Sequence, residues 1–199
     1  MLIVLEGCDG SGKTTLANVL ATILDAEIIH CTTKTPNTFC WFDQIIEASK
    51  TRNIIADRFC YGQFVYQKPE ERQLSNSDLY ELEVHMVAAG AKVIFVDANT
   101  ATIMNRLKSR GEVTDLSVDE IRDRYTQVFT DSCINVTVVK TDTSSSPKKQ
   151  EKLEDKISPI DALQEFAGEL EKLANKFESA KRGNNNGKCK CTDNRKKCD

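Results

Sequence analysis

The stretch Gly7-Cys8-Asp9-Gly10-Ser11-Gly12-Lys13-Thr14, with Thr15 behind it, decides how the chain is read. It fits the pattern Gly-x4-Gly-Lys-Ser/Thr. It stands between an apolar run (2–6) and a segment (13–24) where Leu16, Val19, Leu20, Ile23 and Leu24 recur at helical spacing. Strand, glycine-rich loop and helix together form the context that marks such a match as a phosphate-binding loop. The glycines allow backbone conformations closed to other residues, so successive amides can turn inward toward phosphate oxygens. The helix N-terminus adds positive potential. Lys13 is then placed for the β- and γ-phosphates of a nucleoside triphosphate, and the Thr14 hydroxyl for a magnesium ion. The bare alternative is a glycine-rich turn with no ligand.

Outward from the loop, short apolar runs alternate with helical stretches. Strands are predicted over 27–30, 53–57, 92–97 and 134–139, and helices over 39–49, 75–89, 101–108 and 118–129. Strands separated by helices require crossover connections, so the fold class is α/β. The expected architecture is three layers, a five-stranded parallel sheet with helices on both faces. Such sheets bind ligands beyond the carboxyl ends of their strands, which singles out the residues just after Leu5, Ala56 and Val96.

Beyond Lys140 the character changes. Ser144-Ser145-Ser146-Pro147-Lys148-Lys149 reads as a linker. Ile160, Leu163, Phe166, Leu170, Leu173 and Phe177 then recur at spacings of three or four. That is an amphipathic helix, expected to close the fold against the sheet, with a partner-binding coil as the alternative. The division expected is a domain over 1–180 and a disordered, cysteine-containing basic tail over 181–199. The tail carries seven basic and two acidic residues, so the net charge of −3 conceals a body of −8 and a tail of +5. A wholly basic nucleic-acid coat protein is excluded.

Of 199 residues, 40% are hydrophobic and 29% charged, enough to build a core without metal or disulfide. No apolar run approaches the ~20 residues needed to span a bilayer, so no membrane partner is expected. Eight cysteines lack any Cys-x-x-Cys pair, and Cys8, Cys31, Cys40, Cys60 and Cys133 are scattered through predicted core elements. Reduced thiols in a cytoplasmic protein are the better reading. Three tail thiols (Cys189, Cys191, Cys198) could hold zinc only with a fourth ligand from elsewhere.

Three elements together resemble the thymidylate kinase branch of the P-loop nucleoside monophosphate kinases, and most of all its short, virus-encoded members. They are Glu6-Gly-Cys-Asp-Gly-Ser-Gly-Lys-Thr-Thr15, Asp57-Arg58-Phe59 followed by the tyrosine-containing segment Tyr61 to Tyr66, and Arg106-Leu-Lys-Ser-Arg110-Gly111. The resemblance implies phosphoryl transfer from ATP with Mg²⁺ to a deoxynucleoside monophosphate, dTMP or a modified pyrimidine nucleotide. If the chain is phage-encoded, the compartment is the host cytoplasm. ATP would be bound by Gly7, Asp9, Gly10, Ser11, Gly12, Lys13, Thr14 and Thr15, and the metal by Thr14 and Asp57. Lys13, Asp57, Arg58, Arg106 and Arg110 would carry catalysis, the last two from a lid over 106–116. Asp9 matches a position that contacts the acceptor sugar. A homodimer is left open.

The chain also departs from that pattern. The acidic-Pro-Gly-Gly segment expected after the second strand is replaced by Cys31-Thr32-Thr33-Lys34-Thr35-Pro36, so base and sugar recognition are not assigned. Phe39, Trp41 or Phe42 could stack on a base or belong to the core, and Arg72 could read a pyrimidine edge. His30 and His85 show no paired carboxylate in sequence, and Arg122 and Arg124 read as surface residues. Alternative acceptors are a deoxynucleoside or a hydroxymethylpyrimidine base in DNA, which only the basic tail favours. A second alternative is a nucleotide-binding protein that transfers nothing.

Overall fold

The computed structural model describes residues 1–112 and 116–142. The predicted helix over 160–177, the tail over 181–199, the C-terminal domain boundary and part of the proposed lid lie outside the described residues. Strands β1 (Leu2–Glu6), β2 (Glu27–His30), β3 (Ile54–Asp57), β4 (Lys92–Asp97) and β5 (Val136–Lys140) form one sheet in the order β2-β3-β1-β4-β5. Every adjacent pair is parallel, with Leu5 opposite Asp57 and Ile94, and His30 opposite Asp57. The expected five-stranded parallel sheet is borne out.

The sheet is covered on both faces because β1 alternates two buried sets of side chains. Ile3 and Leu5, with Ile55, Ile94 and Val96, pack under helix α1 (Lys13–Leu24) through Leu16, Ala17 and Leu20. Leu2 and Val4, with Ala56, Val93 and Phe95, face the opposite side. There α2 (Phe39–Ala48), α3 (Tyr61–Tyr66), α4 (Asn76–Ala88), α5 (Thr100–Arg110) and α6 (Val118–Thr130) contribute the cover. Phe42 of α2 is fully buried and meets the Phe59 ring edge-on, with centroids 4.7 Å apart.

Helix starts follow local chemistry. Thr38, Ser75, Asn99 and Ser117 each accept a backbone N–H of the helix they precede, closing α2, α4, α5 and α6. By contrast, α1 begins at Gly12 in a left-handed conformation (φ 103°) with no side-chain cap, which leaves its first-turn amides for an anion. Helix α3 escapes sequence analysis because its aromatic and β-branched residues and Gly62 are poor helix formers. It forms because α6 packs on it. Tyr61 meets Phe129 at 5.3 Å, and its hydroxyl donates to the buried Glu83, which also accepts the Cys133 amide at 3.0 Å.

Among the described residues, Cys8, Cys31 and Cys60 are buried free thiols, whereas Cys40 and Cys133 are exposed rather than in the core. No described helix is long and apolar enough to cross a membrane.

Because Phe42 fills the layer beneath the Asp57-Arg58-Phe59 turn, Phe42→Ala is expected to cost about 3–5 kcal/mol. Urea unfolding checks this, and a loss below about 1 kcal/mol would contradict the packing described.

Candidate active site

The carboxyl ends of β1 and β3 set the site. After Glu6 the chain turns at Gly7 (φ 142°), where a Cβ would meet the Val96 carbonyl oxygen at 2.1 Å, so only glycine fits. The loop then wraps the Lys13 side chain, which is 4% exposed and donates to the carbonyls of Gly7 and Cys8 at 2.7 Å each. Burial, then repulsion from Arg58, brings its ammonium pKa down to about 8, against the pull of Asp9, Asp57 and Glu6. Thr14 and Asp57 come together, the hydroxyl donating to Asp57 Oδ2 at 2.7 Å.

Two buried oxygens beside Lys13 lack a protein partner, Asp57 Oδ1 and Ser11 Oγ. Polar atoms this deep are normally paired, so each points to a bound group. No three His, Cys, Asp or Glu side chains cluster as a metal cage among the described residues. A single carboxylate beside a threonine hydroxyl instead fits magnesium, which keeps waters and takes oxygens from substrate phosphates. His30, read from sequence as lacking a carboxylate, places Nδ1 3.2 Å from Asp57 Oδ2, because β2 and β3 pair in that register. His85 likewise meets Asp43 at 2.7 Å across α2 and α4. In both cases the partner is remote in sequence, which no local spacing reveals.

Arg58 occupies the left-handed region (φ 67°) and pairs through its guanidinium with Asp9. Two cavities meet at this pair. One, of about 250 Å³, is walled by the phosphate loop with Arg110 and Glu112 at its rim. The other, of about 450 Å³, lies between α3 and the loop after β2 and is lined by Cys31, Thr32, Thr33, Phe59, Tyr66 and Gln67 among others. Asp9 and Arg58 line both. Gln67 Oε1 is a further buried oxygen without a partner.

The two arginines of α5 part company. Arg110 lines the phosphate cavity, but Arg106 does not. Its guanidinium instead donates to the Gly10 carbonyl at 3.0 Å and to Thr141 Oγ1 and O at 3.1 Å, bracing the loop against the chain leaving β5. Arg122, read as a surface residue, ties α6 to the end of β4 through Asp97 Oδ1 (2.9 Å) and Thr100 Oγ1 (2.7 Å). Arg124 donates to the Val65 carbonyl at 2.9 Å and to Glu120. Phe42 is core, and neither Phe39 nor Trp41 lines the second cavity. Arg72 lies over the Phe64 ring at 4.8 Å and lines a separate cavity between α4 and α6. Glu6 is a further residue of the site whose role is not evident from sequence. A lone acidic residue in an otherwise apolar strand was the available signal.

No protein-family model matches the chain. A protein of Methanocaldococcus jannaschii described as a "probable thymidylate kinase" is 27% identical over 157 residues, covering 64% of this chain and 81% of that protein. Among solved structures, the YorR protein of Bacillus subtilis, in complex with phosphorylated GDP, matches with a TM-score of 0.67 and 24% identity. That match covers 86% of this chain and 96% of the other. Sheet order, phosphate loop and structural match agree on the three-layer P-loop kinase fold.

Proposed function

We propose that the chain is a nucleotide kinase that moves the γ-phosphoryl group of ATP onto the phosphate of a deoxynucleoside 5′-monophosphate, dTMP or a modified pyrimidine nucleotide. The observation that carries this reading is the shared wall. A cavity built from a phosphate loop and a second, nucleotide-sized cavity join at Arg58 and Asp9. Simple nucleotide binding needs no second chamber ending on a cation. The sequence similarity to a probable thymidylate kinase supports the acceptor class. Gln67 Oε1, buried and unpartnered on the second cavity's wall, suits a base that offers a ring N–H, as thymine and uracil do.

In this reading the loop amides, the uncapped start of α1 and Lys13 hold the β- and γ-phosphates. Arg58 holds the acceptor phosphate against the transferring group, and Arg110 adds positive charge from the rim. Thr14 and Asp57 would hold magnesium, which when bound neutralises triphosphate charge. The bond from the γ-phosphorus to the β,γ-bridging oxygen breaks, and one forms to an acceptor phosphate oxygen, giving ADP and a nucleoside diphosphate. An ionised acceptor phosphate has no proton to lose, so no general base is required. Positioning and charge stabilisation do the work. Arg106 acts one step removed, by fixing the loop that Lys13 belongs to.

A DNA acceptor would need a positive track for several phosphates, and the body outside the tail carries −8. Labelled ATP offered with dTMP, 5-hydroxymethyl-dUMP, thymidine and hydroxymethyluracil-containing DNA tests the acceptor. Label is expected in a mononucleotide, and Lys13→Ala should lower turnover by roughly 10²–10³. Label entering only thymidine or only DNA would overturn the acceptor assigned. Wild-type turnover in Lys13→Ala would overturn the reading altogether.

Lys13 adds a proton-linkage prediction. With its pKa held down to about 8, it is mostly neutral at pH 9. Pairing with phosphates favours the charged form, so ADP binding at pH 9 should take up close to one proton. Calorimetry in buffers of differing ionisation enthalpy measures this. The uptake should vanish in Lys13→Arg, whose guanidinium stays charged. Absence of uptake in the wild type would contradict the assignment of Lys13 to the phosphates.

A further inference from the structure

We propose that Glu6 is a positioning residue for phosphoryl transfer, fixing the turn that carries Arg58 from the buried end of β1 and tying that turn to α6. The inference rests on the function proposed above, because it concerns how Arg58 is aimed at the acceptor.

The turn needs external support. A left-handed conformation costs a non-glycine residue roughly 1–2 kcal/mol and persists only where neighbours over-determine it. At Arg58 (φ 67°) both flanking amides are claimed by the last two residues of β1. Arg58 N donates to the Leu5 carbonyl at 2.9 Å, continuing the ladder. Phe59 N has passed the ladder's end and donates to Glu6 Oε1 at 2.7 Å. The second oxygen, Oε2, accepts from the Tyr125 hydroxyl of α6 at 2.8 Å. Glu6 is 0% exposed, in a strand whose other members are all apolar.

A buried carboxylate is costly, and a core strand could hold a leucine there without that cost. Only a side-chain acceptor can satisfy the Phe59 amide from this position. Burial pushes the Glu6 carboxyl up to about 7, against the lowering pull of Tyr125, Phe59, Lys13 and Arg58. Both protonation states keep the critical bond, since Oε1 accepts whether or not Oε2 carries a proton. Glutamine, whose amide carbonyl can accept the same N–H, is therefore the conservative replacement, and leucine the disruptive one.

Steady-state kinetics of the full chain separate this role from a merely structural one. Glu6→Leu should raise the acceptor KM about tenfold or more and lower kcat, with the ATP KM changed less than threefold. Glu6→Gln should recover both within about threefold. Amide hydrogen exchange of the substrate-free protein supplies a second measurement, independent of activity and of modest losses of stability. The Phe59 amide should lose protection in Glu6→Leu and keep it in Glu6→Gln, while the core amides of β1 and β4 stay protected. Normal acceptor kinetics in Glu6→Leu would overturn the proposal alone, as would equal loss for ATP and acceptor or an unchanged Phe59 amide. A wild-type chain that phosphorylates no mononucleotide would overturn the proposed function, and this inference with it.

Discussion

The carbonyl oxygen of Val96 lies 2.1 Å from where the first side-chain atom of any residue but glycine at position 7 would have to sit. That contact between the end of β1 and the end of β4 sets the height of the phosphate loop above the sheet. Everything else in the site is measured from it. The loop is then pinned from three directions. Cys8 Sγ contacts the Val118 carbonyl of α6 at 3.9 Å, Arg106 of α5 holds the Gly10 carbonyl, and Thr141 after β5 donates to the Ser11 carbonyl. Four elements remote in sequence hold one short loop. That rigidity suits a reaction in which placement and charge do most of the catalytic work.

Charge in the site follows the same frame. Arg58 sits close enough to repel the Lys13 ammonium, and Asp9 and Asp57 pull on both cations. Lys13 is satisfied by its own loop's carbonyls, and Arg58 by Asp9. An incoming polyphosphate competes with these internal partners rather than with bulk water. Meanwhile Ser11 Oγ and Asp57 Oδ1 remain buried with no protein partner, so polar capacity is left over where phosphate and metal are expected.

Much of this was legible in the sequence. The phosphate loop, the strand before it, the helix after it and Asp57-Arg58 are local patterns, and alternating strands and helices imply a parallel sheet, whereas the strand order β2-β3-β1-β4-β5 is supplied by the structure. Thr14 and Asp57, named together although 43 residues apart, lie 2.7 Å from each other in the fold. What escaped depends on register and packing. His30 meets Asp57 only because β2 pairs with β3 one way and not another. Glu6 acquires meaning only when Phe59 and Tyr125 arrive from 53 and 119 residues away. Arg106 and Arg110 share a helix face as their spacing requires, yet the strand after α6 delivers Thr141 to Arg106 alone. Helix α3 has a sequence that argues against a helix, and its tertiary neighbours decide otherwise.

In the function proposed, the two cavities meeting at Arg58 are the ends of one transfer track, with donor phosphates on one side and an acceptor nucleotide on the other. A compound joining adenosine to thymidine through five phosphates spans both. Occupying two sites through one link should raise affinity by about 10²-fold or more over ATP or dTMP alone. Titration calorimetry of the three ligands against the full chain measures this directly. The expected result is one compound bound per chain with that gain in affinity. Affinity no better than that of ATP alone would mean that the second cavity is not an acceptor site.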